Sequence, residues 1–257
     1  MTDFRLAPEA LAEAAAALVS VRRGAPRLPH LPDRLLPRTD AEGYAIQAQV
    51  TEALGWRVAG WKAGLGPNGD TSSAPLYAPL LRHSPARFEA GGLSLFGIEG
   101  EIAFRLALDL PPRGSPHDTG SVRDAIASAH AAIEILDSRY QSLAGLSRFE
   151  MLADTFNNGG FVAGVPQAGW RAIDLADLAV SLTIDGEEIF AGRGTHPVGD
   201  PLAPVVWLAN FLNARGAALA AGDYVTTGTC TGFATAKLGA HVRVDFSELG
   251  EAVVSFV

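Results

Sequence analysis

The feature that most limits the possible folds is the rhythm of the chain after Gly55. Short apolar runs of three to about ten residues alternate with Gly and Pro all the way to the C-terminus, in a chain of 257 residues with 28 Gly and 16 Pro. Such runs, bounded by turn-forming residues, read as strands. They fall at residues 57–62, 98–108, 133–137, 161–163, 180–184, 223–227, 241–246 and 252–256. Their spacing favours a rolled or barrel-like sheet over a doubly wound one, which would need a helix after nearly every strand.

Helical periodicity is confined to fewer places. Residues 8–22 carry Leu11, Ala14, Leu18 and Val21 on one face, with Glu9 in the first turn. The Pro- and Arg-rich stretch 24–38 reads as an extended connection. Thr39 and Glu42 have capping-box spacing and Gly55 is suited to stop the helix they open. Two further helices are expected, one over 122–132 and one from Asp200-Pro201 to near Gly216 with Leu208 and Leu212 on one face. The fold class is therefore α+β: a small helical N-terminal part over 1–56, then a mixed β-roll core with peripheral helices over 57–257, built as one unit.

Charge narrows the partners. A net charge of −8 disfavours nucleic acid, which needs a basic face, but a small anion needs only a local positive centre. With 48% hydrophobic residues the chain can bury a sizeable core. No apolar stretch reaches the roughly 18–20 residues of a membrane span, and residues 1–24 lack the order of a secretory signal. A cytoplasmic chain without a membrane partner is expected. The single cysteine, Cys230, rules out an internal disulfide and thiolate metal clusters. It reads as a small packed residue. The six histidines show no metal-ligand spacing.

Three carboxylates stand out. Glu99 and Glu101 are two apart in Ile98-Glu99-Gly100-Glu101-Ile102, so on a strand they share one face while Ile98 and Ile102 take the other. An ordinary half-exposed strand would show the same alternation. Glu134 lies in Ile133-Glu134-Ile135-Leu136, where an unpaired carboxylate costs several kcal/mol and must be protonated, paired or bound to a cation. Arg139 is one candidate partner. Converging carboxylates would suit a hard cation such as Mg²⁺ or Mn²⁺. Lys62, in Gly60-Trp61-Lys62-Ala63-Gly64, is suited to proton transfer or to pairing with an anion, although a lysine snorkelling from a strand end looks the same. Two Gly-rich turns, 157–160 and 227–232, offer backbone N–H groups to an anion, and neither has the P-loop pattern.

Taken in order, these pieces resemble the 2-keto-4-pentenoate hydratase and 4-oxalocrotonate decarboxylase branch of the fumarylacetoacetase superfamily. The resemblance runs from about Thr39 to Val257. It rests on the segments 40–47, Gly60-Trp61-Lys62, Glu99-Gly100-Glu101-Ile102-Ala103-Phe104 and Ile133-Glu134-Ile135-Leu136-Asp137-Ser138-Arg139. The later segments 206–210, 221–225 and Thr227-Gly228-Thr229-Cys230-Thr231-Gly232 complete it. The resemblance implies a fumarylacetoacetase-type β-roll and a homo-oligomer. It implies Mg²⁺ or Mn²⁺ on Glu99, Glu101 and Glu134, Lys62 as the catalytic residue, and Asn158 and Thr229 at a small anionic 2-oxo acid. The implied activity is a hydratase-type lyase. A decarboxylase of a 2-oxo diacid and a non-catalytic metal-binding relative are the alternatives. Hydrolysis of an acylpyruvate would call for a His/Glu pair, and no obvious one is present. Two places depart from the family pattern. Leu76 stands where hydratases carry an Asp, and Asn157-Asn158 replace a serine pair within Asp154-Thr155-Phe156-Asn157-Asn158-Gly159.

Overall fold

A computed structural model describes residues 4–66 and 68–257. The chain opens with helix α1 (Pro8–Arg22), with Pro in its first turn and Leu11, Ala14, Leu18 and Val21 buried. Helix α2 (Asp40–Leu54) starts where Thr39 Oγ1 accepts a hydrogen bond from Glu42 N–H (3.2 Å) and ends at Gly55, whose φ of +65° only glycine adopts without strain. The buried Glu42 carboxylate accepts from the N–H groups of Arg5, Leu6 and Arg38 at 2.6–2.7 Å, lashing the start of the chain to α2. Both helices share an apolar cluster with Tyr140 and Ala153.

Strands follow in chain order: β1 (Val58–Leu65), β2 (Thr71–Tyr77), β3 (Leu81–His83), β4 (Ala86–Phe88) and β5 (Gly97–Leu106). After helix α3 (Thr119–Ala125) come β6 (Ile126–Leu136), helix α4 (Arg148–Ala153), β7 (Asn158–Ala163), β8 (Ala179–Ile184) and β9 (Glu187–Arg193). Helix α5 (Leu202–Asn213) precedes β10 (Tyr224–Thr229), β11 (Ala234–Thr235), β12 (His241–Asp245) and β13 (Glu251–Phe256).

The larger sheet has the order β2-β1-β10-β5-β6-β7-β3, with β11 extending the β5 edge. β1 runs parallel to β10 and β3 parallel to β7; the remaining pairs are antiparallel. Its two edge strands, β2 and β3, are joined only by Ala78–Leu80. That connection reaches about 14 Å at most, whereas seven strands laid flat would span about 28 Å. The sheet must therefore curl until its edges meet, and β2 does touch β7. The mixed, barrel-like α+β core is thus a consequence of connectivity.

The second sheet, β4-β13-β12-β8-β9, covers the outside of the curled one. Ile98, Ile102 and Phe104 of β5 and Ile133 and Ile135 of β6 meet Val242, Val244, Val254 and Phe256 in the main core. The alternate residues of the same strands therefore point into the roll.

One expected helix is corrected. Residues 122–132 are not a single helix: α3 ends at Ala125 and β6 begins at Ile126. Alanine favours helix, but Ala129, Ala131 and Ala132 sit in a strand flanked by β5 and β7 and buried on both faces, and that packing outweighs propensity. Among the described residues no helix is long and apolar enough to cross a membrane.

Candidate metal centre

The inner face of the roll collects polar groups from adjacent strands. Glu99 and Glu101 project from β5, and Glu134 of β6 lies directly across the ladder from Glu99. One oxygen from each carboxylate falls within 4.8 Å of the others. Glu134 is fully buried and Glu101 nearly so. Between the two β5 glutamates, Gly100 faces the other way. Its N–H donates to Thr231 Oγ1 (2.9 Å) and its carbonyl accepts from Cys230 N–H (2.8 Å), so the 230–231 turn pins β5 from outside.

β10 approaches from the other side with one extra residue. Thr226 pairs with Ala103 and Thr229 with Glu101, so three steps on β10 match two on β5. Gly228, at φ +102°, absorbs the bulge, and its N–H donates to Glu101 Oε2 (3.0 Å). Thr229 lies alongside. Next to β10, Lys62 of β1 forms an ion pair with Glu134 Oε1, and its Nζ donates to the Phe156 carbonyl (2.7 Å).

That carbonyl is held by an unusual turn. Thr155, Phe156 and Asn157 have φ of +53°, +49° and +59°, three successive non-glycine residues in the left-handed region. Each costs about 1–2 kcal/mol, a strain that persists where surrounding contacts enforce it and that concentrates at functional sites. The Phe156 ring lies 5.5 Å from Lys62 Nζ, face towards the ammonium.

Lys62, Ser72, Ser73, Glu99, Glu101, Glu134, Phe156, Thr226 and Thr229 line one cavity of about 180 Å³. Lys62, the three glutamates and Thr229 therefore converge. Asn158 does not line the cavity; it is buried behind Glu134, with its Oδ1 unpartnered. Leu76 is buried with Ala103, Ala132 and Phe161, an apolar contact where a carboxylate would be stranded. Arg139 is not the partner of Glu134: it is saturated by Asp154 and by the Asp137 and Asn158 carbonyls. Cys230 is buried, and burial together with Glu101 pushes its thiol up to about 12, which makes it a packing residue at neutral pH. No histidine lines the cavity. The Phe156 carbonyl and the β2 serines were not singled out in the sequence, where the dense run of turn-forming residues 154–159 was the signal available; Gly228 lies in the Gly-rich turn 227–232 read there as a source of backbone N–H groups, and its N–H goes to Glu101.

The electrostatics are unbalanced. Burial, with Glu134 nearby, raises Glu99 to about 7. Burial and the two neighbouring carboxylates raise Glu101 well above the usual range. Glu134 is also raised by burial, though the Lys62 ammonium opposes this. With all three carboxylates ionised, one ammonium would leave two negative charges in excess. Neither Glu134 oxygen has a hydrogen bond of ordinary geometry. A buried all-oxygen donor set with a single ammonium, that of Lys62, against three carboxylates could hold a hard divalent cation.

Comparisons with known proteins place the chain in a family. A family model described as “Fumarylacetoacetate (FAA) hydrolase C-terminal” matches residues 86–257. The 2-keto-4-pentenoate hydratase of Paraburkholderia phymatum is 32% identical over 232 residues, covering 86% of this chain and 87% of that protein. The 4-oxalocrotonate decarboxylase of Pseudomonas putida is 27% identical over 230 residues, covering 85% and 86%. In three dimensions, the 4-oxalocrotonate decarboxylase from Pseudomonas putida G7, solved with magnesium and adipate, superposes with a TM-score of 0.88 at 24% identity, covering 99% of this chain and all of that one. With two thirds of its length matched by the family model and a relative above 30% identity over most of it, the chain belongs to the fumarylacetoacetate hydrolase family.

Proposed function

We propose that the protein is a divalent-metal-dependent lyase acting on a small 2-oxo acid or its 2-hydroxydienoate form. The observation that carries this reading is the convergence of Glu99, Glu101 and Glu134 with Lys62 in one cavity. The three carboxylates would hold Mg²⁺ or Mn²⁺, which would supply Lewis-acid stabilisation of the negative charge that develops on the substrate. Lys62 balances Glu134 and moves a proton to or from the carbon skeleton, while the Phe156 carbonyl fixes where the ammonium sits. The hydroxyl of Thr229 and the serines of β2 orient the substrate carboxylate. Asn158 supports Glu134 from behind. The cavity's small volume, about 180 Å³, and the Lys62 ammonium in its wall favour a short, anionic substrate.

Two reactions fit this machinery: addition of water to the dienoate, and loss of CO₂ from a 2-oxo diacid. One observation favours the second. With Leu76 packed in an apolar cluster, Lys62 is, among the described residues, the one amine or imidazole lining the cavity beside the three carboxylates. A single carrier suffices to protonate the carbon left by CO₂, whereas hydration needs both activated water and a proton donor. Self-association into a homo-oligomer is part of the reading, and the exposed Phe4, Leu108, Val165, Ile189, Phe233 and Leu238 are compatible with it.

The test is proton exchange at C3 of a short 2-oxo acid, with and without Mg²⁺ or Mn²⁺, for the native chain and Glu134→Ala. Metal-dependent exchange that vanishes in the variant supports an enolising site; absence of exchange with either metal in a folded native chain overturns it.

A further inference from the structure

The left-handed turn at 155–157 is braced by two arginines that the reaction itself does not need. Arg139, just beyond β6, donates from Nη1 to the Asn158 carbonyl (3.1 Å) and from Nη2 to the Asp154 carbonyl (3.1 Å), and its Nε pairs with the Asp154 carboxylate. Asp154 Oδ2 also accepts from Ser138 Oγ (2.9 Å) and Arg139 N–H (3.0 Å). Arg22, the last residue of α1, reaches the same turn from far away in sequence. Its Nη2 donates to Thr155 Oγ1 (2.6 Å) and to the Asn158 carbonyl (3.2 Å).

Arg22 is placed at a cost. Among the described residues it forms no ion pair with a carboxylate, and its Nε is buried without a partner. Burial and the nearby Arg139 push its guanidinium down to about 10. Docking a helix does not call for such an arrangement, since the apolar face of α1 already packs on α2. Its guanidinium lies 5.6 Å from the Tyr77 ring, but both hydrogen bonds that Arg22 makes fall on the segment that presents the Phe156 carbonyl to Lys62.

We propose that Arg22 is a positioning residue for Lys62: from the N-terminal helix it locks the left-handed turn, and through the Phe156 carbonyl it holds the lysine ammonium at its place beside Glu134. The inference rests on the reading of Lys62 as the proton carrier. It makes α1 a functional part of the site and not merely a cover for the roll.

The test uses the full metal-loaded chain with Arg22→Met, Arg22→Lys, Thr155→Val and the Arg22→Met/Thr155→Val pair. Three readouts are followed: the ¹H–¹⁵N resonance of Lys62 Nζ, hydrogen exchange of the Asn157 and Asn158 amides, and the kcat and KM of C3 proton exchange. In Arg22→Met the Lys62 resonance should move and the two amides should lose about ten-fold protection. The kcat should fall about ten- to hundred-fold with KM near native, because a misplaced proton carrier slows chemistry without weakening binding. Lysine at position 22 keeps the charge but lacks the planar fork, and should restore the fold without restoring kcat. Thr155→Val should reproduce the loss without touching α1, and combining it with Arg22→Met should add little. If Arg22→Met fails to fold, Thr155→Val decides alone. An unmoved Lys62 resonance with unchanged amide protection in folded Arg22→Met or Thr155→Val overturns the proposal. A native chain that shows no C3 exchange would instead refute the assigned function, leaving the resonance and amide readouts to judge the brace.

Discussion

Lys62 and Glu134 are each stable in the roll because the other is there, and that coupling determines what single substitutions do. Glu134→Gln keeps the volume but removes one of three negative charges and leaves the Lys62 ammonium without its carboxylate. Affinity for Mn²⁺ should fall by at least about 100-fold, since loss of a direct ligand exceeds the 10–100-fold effect of a supporting group. Titration calorimetry with Mn²⁺ checks this, and native affinity in the variant would exclude Glu134 from the cation site. Phe156 is the residue expected to govern size. Its ring lines the cavity and faces the Lys62 ammonium. Phe156→Ala should shift preference towards longer 2-oxo acids, each accommodated methylene being worth about 1–3 kcal/mol in relative kcat/KM. A chain-length series would show it, and an unchanged profile would mean that another wall sets the limit. Glu134 could be recognised from its neighbours alone, since a carboxylate among Ile133, Ile135 and Leu136 demands a partner. Phe156 could not, because its contribution is a backbone carbonyl whose direction depends on a strained turn.

At the level of elements, β5 is the strand on which the site is built, and its seating is tight. A Cβ on Gly100 would meet Thr231 Cγ2 at 2.8 Å and Val244 Cγ1 at 3.0 Å. Gly100→Val should therefore push β5 away from β12, costing about 1–3 kcal/mol, a fall in Tm of roughly 2–12 °C for a chain of this size. It should also weaken Mn²⁺ binding by displacing Glu99 and Glu101. Calorimetric melting and metal titration test both, and a native Tm would contradict the close packing. The alternation in residues 98–104 made β5 readable as a strand. β6 was only partly readable: Ile133–Asp137 announced a strand, while the alanines before it pointed to helix, and the difference was made by neighbours on both sides. Helix α4 escaped notice although Ser147 and Glu150 form a complete capping box, because only six residues follow it.

For the molecule as a whole, the crowded carboxylates set how stability depends on pH. Glu99 is raised from the ordinary 4.5 to about 7, and Glu101 and Glu134 move in the same direction. A carboxyl whose folded pKa lies above its unfolded one contributes stability below the unfolded value and loses it as pH rises through the folded value. The metal-free chain should thus lose stability from these groups between about pH 4.5 and 7. Saturating Mn²⁺ should reverse the trend, since the cation favours the ionised forms and its binding releases protons. Melting curves at pH 5 and pH 8, with and without Mn²⁺, test this; a metal-free chain that is more stable at pH 8 would sink the explanation. What the sequence by itself determined is local: the Gly- and Pro-bounded strands, the shared face of Glu99 and Glu101, the isolation of Glu134 among isoleucines, and the ordered motifs of the family. What only the tertiary structure decided is convergence. Three residues between β2 and β3 force the sheet to roll, the β5–β6 register sets Glu134 opposite Glu99, and the parallel β1–β10 pairing delivers Lys62. Those are contacts between residues tens to more than a hundred positions apart, and a strand's own pattern says which way its side chains point but not which strand lies beside it.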